Sequence, residues 1–249
     1  YSSFLIILLP ISLIFFLITK IRYFLYKNNI LNKYKSKIPL IIVGNISVGG
    51  SGKTPFVIWL TKYLLAKGLH VGVISSGYKS LSRQPVLVDK YSDPKIVGDE
   101  AVLIANQTCC NVASGGDRIS ATKLLIDKTL NDVIIHDDGL QHYKLERDYE
   151  IILINNHKLF GNGYLLPAGP LRESESRLLN TNIAAYTNCN DENIYAIASV
   201  NNYVKNMTTD KIRDIKEFNS MKIHLVTGIA SIDAIIQILK ENKIEYILH

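Results

Sequence analysis

The chain has 249 residues, 47% of them hydrophobic, with 28 Lys and Arg against 22 Asp and Glu for a net charge of +6. That length and apolar content allow a full buried core and exclude a disordered chain, while three cysteines, Cys109, Cys110 and Cys189, lack metal-ligand spacing and fit buried thiols in a reducing compartment. The positive excess lies in the N-terminal third, ahead of the first acidic residue, Asp89; no nucleic-acid-binding motif accompanies it, so an anionic membrane surface is the better partner than nucleic acid.

The first element is an apolar run from Phe4 to Ile18, interrupted only by Pro10 and Ser12. A secretory signal carries positive charge before its apolar run and small residues after it. Here Tyr1-Ser-Ser precedes and Lys20-Ile-Arg22 follows, so the segment reads as retained. Its 15 residues would rise about 22 Å as a helix, short of a hydrocarbon core of about 30 Å, which predicts a helix that dips into one leaflet or barely spans. Tyr23, Phe24 and Tyr26 beside Lys20, Arg22 and Lys27 suit interfacial anchors, with the rest of the chain on the cytoplasmic side. The alternative is a core helix buried in the protein.

A lysine-rich connector leads to the apolar run Pro39 to Val43 and then to SVGGSGKT, Ser47 to Thr54. Strand, glycine-rich turn and helix in that order make a phosphate-binding loop. Ser47, Val48, Gly49, Gly50, Ser51 and Gly52 let backbone amides approach a polyphosphate, Lys53 reaches the β- and γ-phosphates, and the Thr54 hydroxyl ligates Mg2+. The pattern GxxxxGK followed by Ser or Thr wants glycine where Ser47 stands, and the bland alternative is a glycine-rich turn with a solvated lysine.

From there β-branched runs alternate with helical ones. Leu40–Val43, Val71–Ile74, Val133–His136, Ile151–Ile154, Ile183–Tyr186 and Ile223–Val226 read as buried strands. Pro55–Lys67, with Phe56, Val57, Leu60, Leu64 and Leu65 on one face and Gly68 as a stop, reads as a helix, as does Arg118–Leu130. The order predicts an α/β fold of the P-loop NTPase type: a mainly parallel sheet with helices on both faces, ligands at the strand carboxyl ends, and a membrane-associated helix in front. Three regions follow: a membrane-associated helix and basic connector over 1–38, a P-loop core over 39–200, and the start of a C-terminal α/β lobe from 201 to 249.

Chemistry-bearing residues cluster after the phosphate loop. Asp137-Asp138 closes a strand, where a carboxylate can hold Mg2+ directly or through water, although acidic residues also end strands for no catalytic reason. Asp99, in Gly98-Asp99-Glu100, is either a helix N-cap worth about 1 kcal/mol or a base for an attacking hydroxyl. Arg118 and Arg172 are either surface arginines or planar donor forks for a transferred phosphoryl group. Gly139-Leu-Gln141-His142 and the rigid Leu166–Arg172 loop complete the set.

VGNISVGGSGKTP, VGDEAVLIA, GGDR, DDGLQH and NGYLLPAGPLRE, in this order behind an apolar helix, resemble the tetraacyldisaccharide 4′-kinase family of lipid A biosynthesis, from about Leu8 to Ala230. The resemblance implies ATP as phosphoryl donor, Mg2+ as cofactor and an acylated glucosamine disaccharide 1-phosphate as acceptor. It also implies peripheral or monotopic attachment at the cytoplasmic face of a Gram-negative inner membrane. It assigns Lys53 and Thr54 to phosphates and metal, Asp99 to the sugar hydroxyl as base, Asp137 and Asp138 to the metal, and Arg118 and Arg172 to phosphoryl charge. Glu100, Gln141 and His142 belong to the motifs without an assigned role. Two positions depart: Ser75-Ser76-Gly77-Tyr78 where the family usually shows SRGY, and Gly228-Ile-Ala-Ser231 where it often shows GIANP. The family also runs on into a segment with paired histidines, one supporting the catalytic aspartate, so this stretch is expected to be a fragment. The rival readings are a membrane-associated P-loop ATPase, with Val48 where such proteins often carry a lysine, a GTPase, for which Asn242-Lys-Ile-Glu245 is a poor guanine motif, and a nucleotide-binding scaffold without turnover.

Overall fold

The computed structural model describes residues 2–77, 84–189, 195–197, 203–227 and 232–249; the motif positions Tyr78 and Gly228 to Ser231 lie outside them. Two compact units divide the chain, Tyr1–Ile197 and Ala198–His249.

Unit one is a layered α/β structure. Its elements are α1 (Ser2–Lys27), β1 (Leu40–Gly44), α2 (Lys53–Ala66), β2 (Val71–Ser75), β3 (Val86–Val88), α3 (Pro94–Val97), α4 (Asp99–Thr108), β4 (Asn111–Ser114), α5 (Arg118–Lys128), β5 (Val133–Asp137), β6 (Tyr149–Asn155), β7 (Ile183–Thr187) and β8 (Ala196–Ile197). Among the described residues the strands form one sheet in the order β3-β4-β2-β5-β1-β6-β7-β8. Every pairing is parallel except β3 with β4.

Alternation along each strand sorts side chains onto the two faces. Val43, Val71, Val73, Val133, Ile135, Ile151 and Leu153 pack with α2 and α4 through Val57, Ala101 and Ile104. Leu40, Ile42, Ile74, Ala113 and Ile134 pack with α5 through Ala121 and Leu125 on the other face. Each fully buried Leu, Ile or Val contributes about 1.5–3 kcal/mol from burial alone, and two such layers explain why the central strands read as continuous apolar runs.

The first helix differs from its sequence-based outline. It runs 26 residues rather than 15, about 39 Å at the helical rise, and the stretch Ile7–Lys27 is long and apolar enough to cross a membrane by length and composition. It does not end at Ile18 because no breaker stands before Lys27, and Tyr23 and Tyr26 pack on the body of the unit through Tyr143. The core-helix alternative fails: Ile7, Leu13, Ile14, Ile18, Ile21 and Phe24 are each more than half exposed. Only one side docks, through Phe15 and Phe16 against Ile46, Leu165 and Leu171, and through Ser12 Oγ, which donates to the Leu165 carbonyl at 2.8 Å.

Unit two holds β9 (Tyr203–Lys205) paired antiparallel with β10 (Ile212–Asp214), and β11 (Lys222–Leu225) paired parallel with β12 (Glu245–Leu248) across α6 (Asp233–Glu241). Ile215, Leu225, Leu239 and Ile244 form its small core. Of the three thiols, Cys109 is exposed rather than buried, because it occupies the left-handed C-cap of α4 at the surface.

Candidate active site

The site gathers where β1, β2 and β5 end and α2, α4 and α5 begin. Val43 pairs in register with Asp137, so the phosphate loop leaves β1 beside the aspartates that close β5. Gly52, with φ of 75°, is the N-cap of α2, a left-handed conformation that glycine adopts without a Cβ penalty. Around Gly49 and Gly50 the space is open: a Cβ there would meet nothing within 4 Å.

A second loop braces this one. Ser47 bridges Leu171 in antiparallel fashion; the Val48 amide donates to the Pro170 carbonyl at 2.8 Å and the Arg172 amide to the Ile46 carbonyl at 2.7 Å. The LPAGPLRE segment is therefore paired by backbone bonds with the phosphate-loop entry, and Arg172 lies beside Asp138 at 3.4 Å. Gly139 is held to glycine by packing, since a Cβ would fall 2.4 Å from His136 Nδ1.

The candidate residues separate into distinct stations. Lys53 Nζ donates to Asn45 Oδ1 at 3.0 Å and lies 3.5 Å from Asp138 Oδ1. Thr54 Oγ1 donates to Asp137 Oδ2 at 3.3 Å, while Asp137 Oδ1 is buried with no hydrogen-bond partner. Burial, followed by the charge of Glu100, pushes the Asp137 carboxyl up to about 7 against the pull of Lys53. Asp138 has φ of 54°, unusual for a residue with a side chain, and spends its carboxylate on Lys53 and Arg172 rather than on Thr54. The two adjacent aspartates thus occupy different environments.

Asp99 and Glu100 form the first turn of α4. The N-cap is Gly98 and no side-chain cap bond is made, so the capping alternative for Asp99 is corrected: the glycine takes the cap and Asp99 is the first helical residue. Asp99 lines a cleft of about 360 Å³ with Ser75, Gly77, Lys95, Gly98 and Glu100. Partial desolvation raises the Glu100 carboxyl, with Lys53 opposing and Asp138 and Asp99 adding, which ties this turn electrostatically to the phosphate loop.

Arg118 is not a surface arginine. It is buried, and its guanidinium donates to the carbonyls of Ser76, at 3.0 Å, and Gly115, which leaves Nε buried without a partner. It pins the β2 end to the start of α5; burial pulls the guanidinium below its ordinary range, against the opposing charges of Asp138 and Asp137. Gln141 Nε2 donates to Glu173 Oε1 at 2.9 Å and to the Asn45 carbonyl at 3.3 Å. His142 is half-buried; burial and the charges of Arg118 and Arg22 push it down to about 4, so its ring is neutral at physiological pH. Its neighbour His136, 5.5 Å away between ring centres, is fully buried, has neither nitrogen bonded, and is driven well below the usual range.

The donor set suits a nucleotide with a divalent ion. Among the described residues no three His, Cys, Asp or Glu side chains cluster to hold a metal alone. One hydroxyl, one desolvated carboxylate with an orphaned oxygen, and an open amide-lined loop are the usual protein share of a Mg2+–phosphate site, the phosphates and water supplying the rest. The sequence reading missed Asn45, Tyr143 and Glu173. Each stood inside or beside a recognised motif, but a buried amide, phenol or carboxylate carries no signal until its partner is known.

The model of the family described as tetraacyldisaccharide-1-P 4′-kinase matches residues 4–249. The tetraacyldisaccharide 4′-kinase of Actinobacillus succinogenes is 43% identical over 245 residues, covering 97% of this chain and 74% of that protein. That of Pasteurella multocida is 44% identical over 229 residues, covering 91% of this chain and 69% of its own length. The crystal structure of LpxK from Aquifex aeolicus in complex with ATP superposes with a TM-score of 0.79 at 28% identity, over 97% of this chain and 80% of that one. With its phosphate loop, paired aspartates and bracing loop in one α/β unit, the chain belongs to the tetraacyldisaccharide 4′-kinase family.

Proposed function

We propose that this protein transfers the γ-phosphoryl group of ATP to the 4′-hydroxyl of a tetraacylated glucosamine disaccharide 1-phosphate, with Mg2+ as cofactor, at the cytoplasmic face of the bacterial inner membrane. The observation that carries the reading is the convergence of Lys53, Thr54 and Asp137 at one end of the sheet, with Glu100, next to Asp99 in the first turn of α4, coupled electrostatically to Lys53 and Asp137.

The phosphate-loop amides and the α2 N-terminus cradle the polyphosphate, and Lys53, steadied by Asn45, neutralises charge spread over the transferred group. Thr54 and Asp137 would hold Mg2+, which would supply charge neutralisation to the phosphates. Asp138 keeps Lys53 and Arg172 near one another, and Arg172 adds a donor fork to the same charge. Asp99 takes the proton of the attacking hydroxyl, a role that needs an accessible carboxylate free of a capping bond. Arg118 positions the rim through the Ser76 and Gly115 carbonyls. The outward apolar face of α1, followed by Lys20, Arg22 and Lys27, holds the protein where an acylated substrate resides.

The test is transfer of label from γ-labelled ATP to the acylated disaccharide, measured beside reactions with water alone as acceptor. Acceptor-dependent labelling of the lipid is expected. Label released only as orthophosphate would favour an ATPase, and nucleotide binding without turnover would favour a scaffold.

A further inference from the structure

A largely buried line of side chains runs from α1 to Lys53. The Tyr23 ring meets Tyr143 edge-on with centroids 5.5 Å apart, and the Arg177 guanidinium lies 5.0 Å over Tyr23. The Tyr143 hydroxyl donates to Glu173 Oε2, and Arg177 is ion-paired with both Glu173, at 3.3 Å, and Glu150. On its other oxygen Glu173 accepts from Gln141, which also donates to the Asn45 carbonyl. Asn45, wholly buried, closes the line: its amide donates to the Ser47 carbonyl at 2.6 Å and its Oδ1 accepts from Lys53.

Tyr143, Glu173, Arg177 and Asn45 are buried, Tyr23, Gln141 and Lys53 partly so, and each is already partnered, so moving one member strands a polar or charged neighbour in a poorly solvated setting. Such a line transmits a displacement rather than absorbing it. At its outer end lies α1: two clefts of about 240 and 260 Å³ are each lined by both Tyr23 and Arg177. Burial together with the Glu173 charge also raises the Tyr143 phenol, which keeps it a donor.

We propose that docked α1 sets the stance of Lys53: Tyr23 seats Tyr143 and Arg177, these fix Glu173, and Glu173 holds Gln141 and Asn45 against the lysine. Tyr143 and Glu173 are then positioning residues, and α1 acts on turnover as well as on location. This rests on the role of Lys53 given above.

The experiment uses the full chain with Tyr23→Ala and, separately, Tyr143→Phe, which keeps the ring and deletes one hydroxyl. Equilibrium binding of ATP and AMP is compared, because Lys53 addresses phosphates that AMP lacks. ATP affinity is expected to fall about fivefold or more with AMP affinity within about twofold, a coupling of ordinary size. At saturating disaccharide, kcat is expected to fall about tenfold while KM for the disaccharide changes less than about twofold. Equal loss of ATP and AMP affinity would reduce the line to general folding support, and a rise in acceptor KM alone would reduce α1 to an anchor; either result, or no change, overturns the proposal. Should Tyr23→Ala fail to fold, Tyr143→Phe decides. A wild-type protein that binds ATP but labels no disaccharide would count against the kinase reading alone, leaving the nucleotide comparison standing.

Discussion

Asp99 and Asp137 show how position in an element decides what a carboxylate can do. With Gly98 as the cap, Asp99 contributes to α4 only through the helix dipole, worth about 0.3–1 kcal/mol. Asp99→Asn is therefore expected to cost no more than about 1 kcal/mol of stability while lowering kcat by two or more orders of magnitude. Denaturant unfolding beside a transfer assay separates the two, and parallel losses would return Asp99 to a structural role. Lys53→Ala is expected to leave less than about a tenth of wild-type turnover, a barrier change above about 1.4 kcal/mol. Asp137 adds a pH dependence. Its folded value near 7 lies above the ordinary 3.8, so between these limits the folded state keeps a proton that the unfolded state has lost, and this group makes stability fall as pH rises toward 7. Asp137→Asn is thus expected to raise metal-free stability at pH 8, by at most about 4 kcal/mol at about 1.4 per pKa unit, and to abolish the gain in Tm on adding Mg2+ with ATP. Melting curves at pH 5 and 8 check the sign; a mutant less stable at pH 8 would contradict it.

Among the elements, α1 carries two faces with separable consequences. Replacing exposed Ile14 and Ile18 by Gln should release the protein from anionic vesicles in a sedimentation assay without moving Tm, since neither side chain is held by the core. Loss of Tm in that variant would mean the outer face is packed. Arg177, which lies over Tyr23 of the docked face, pairs with the buried Glu150, as does Arg147. Removing one partner of such a pair leaves charge unpaired, so Glu150→Ala is expected to destabilise by about 3–5 kcal/mol in chemical denaturation.

Across the whole molecule, the central strands were legible because a parallel sheet covered on both faces demands uninterrupted apolar runs, and β1, β2, β5, β6 and β7 obey that demand. Strand β3 was not: three residues on an antiparallel edge leave too short a pattern to register. Motif chemistry pointed to the phosphate loop and the aspartates, but the N-cap of α4 and the burial of Arg118 depend on backbone geometry one residue away. The Asn45–Gln141–Glu173 line joins positions up to 128 residues apart, as 173 minus 45, and no local pattern encodes it. On the proposed function, these features serve phosphorylation of one hydroxyl on an acylated sugar. The most direct measurement is phosphorus NMR of the product formed from ATP and the tetraacyldisaccharide 1-phosphate. The account predicts a new phosphomonoester at the 4′ position with the 1-phosphate retained; orthophosphate beside an unchanged disaccharide, or a phosphate at any other position, would contradict it.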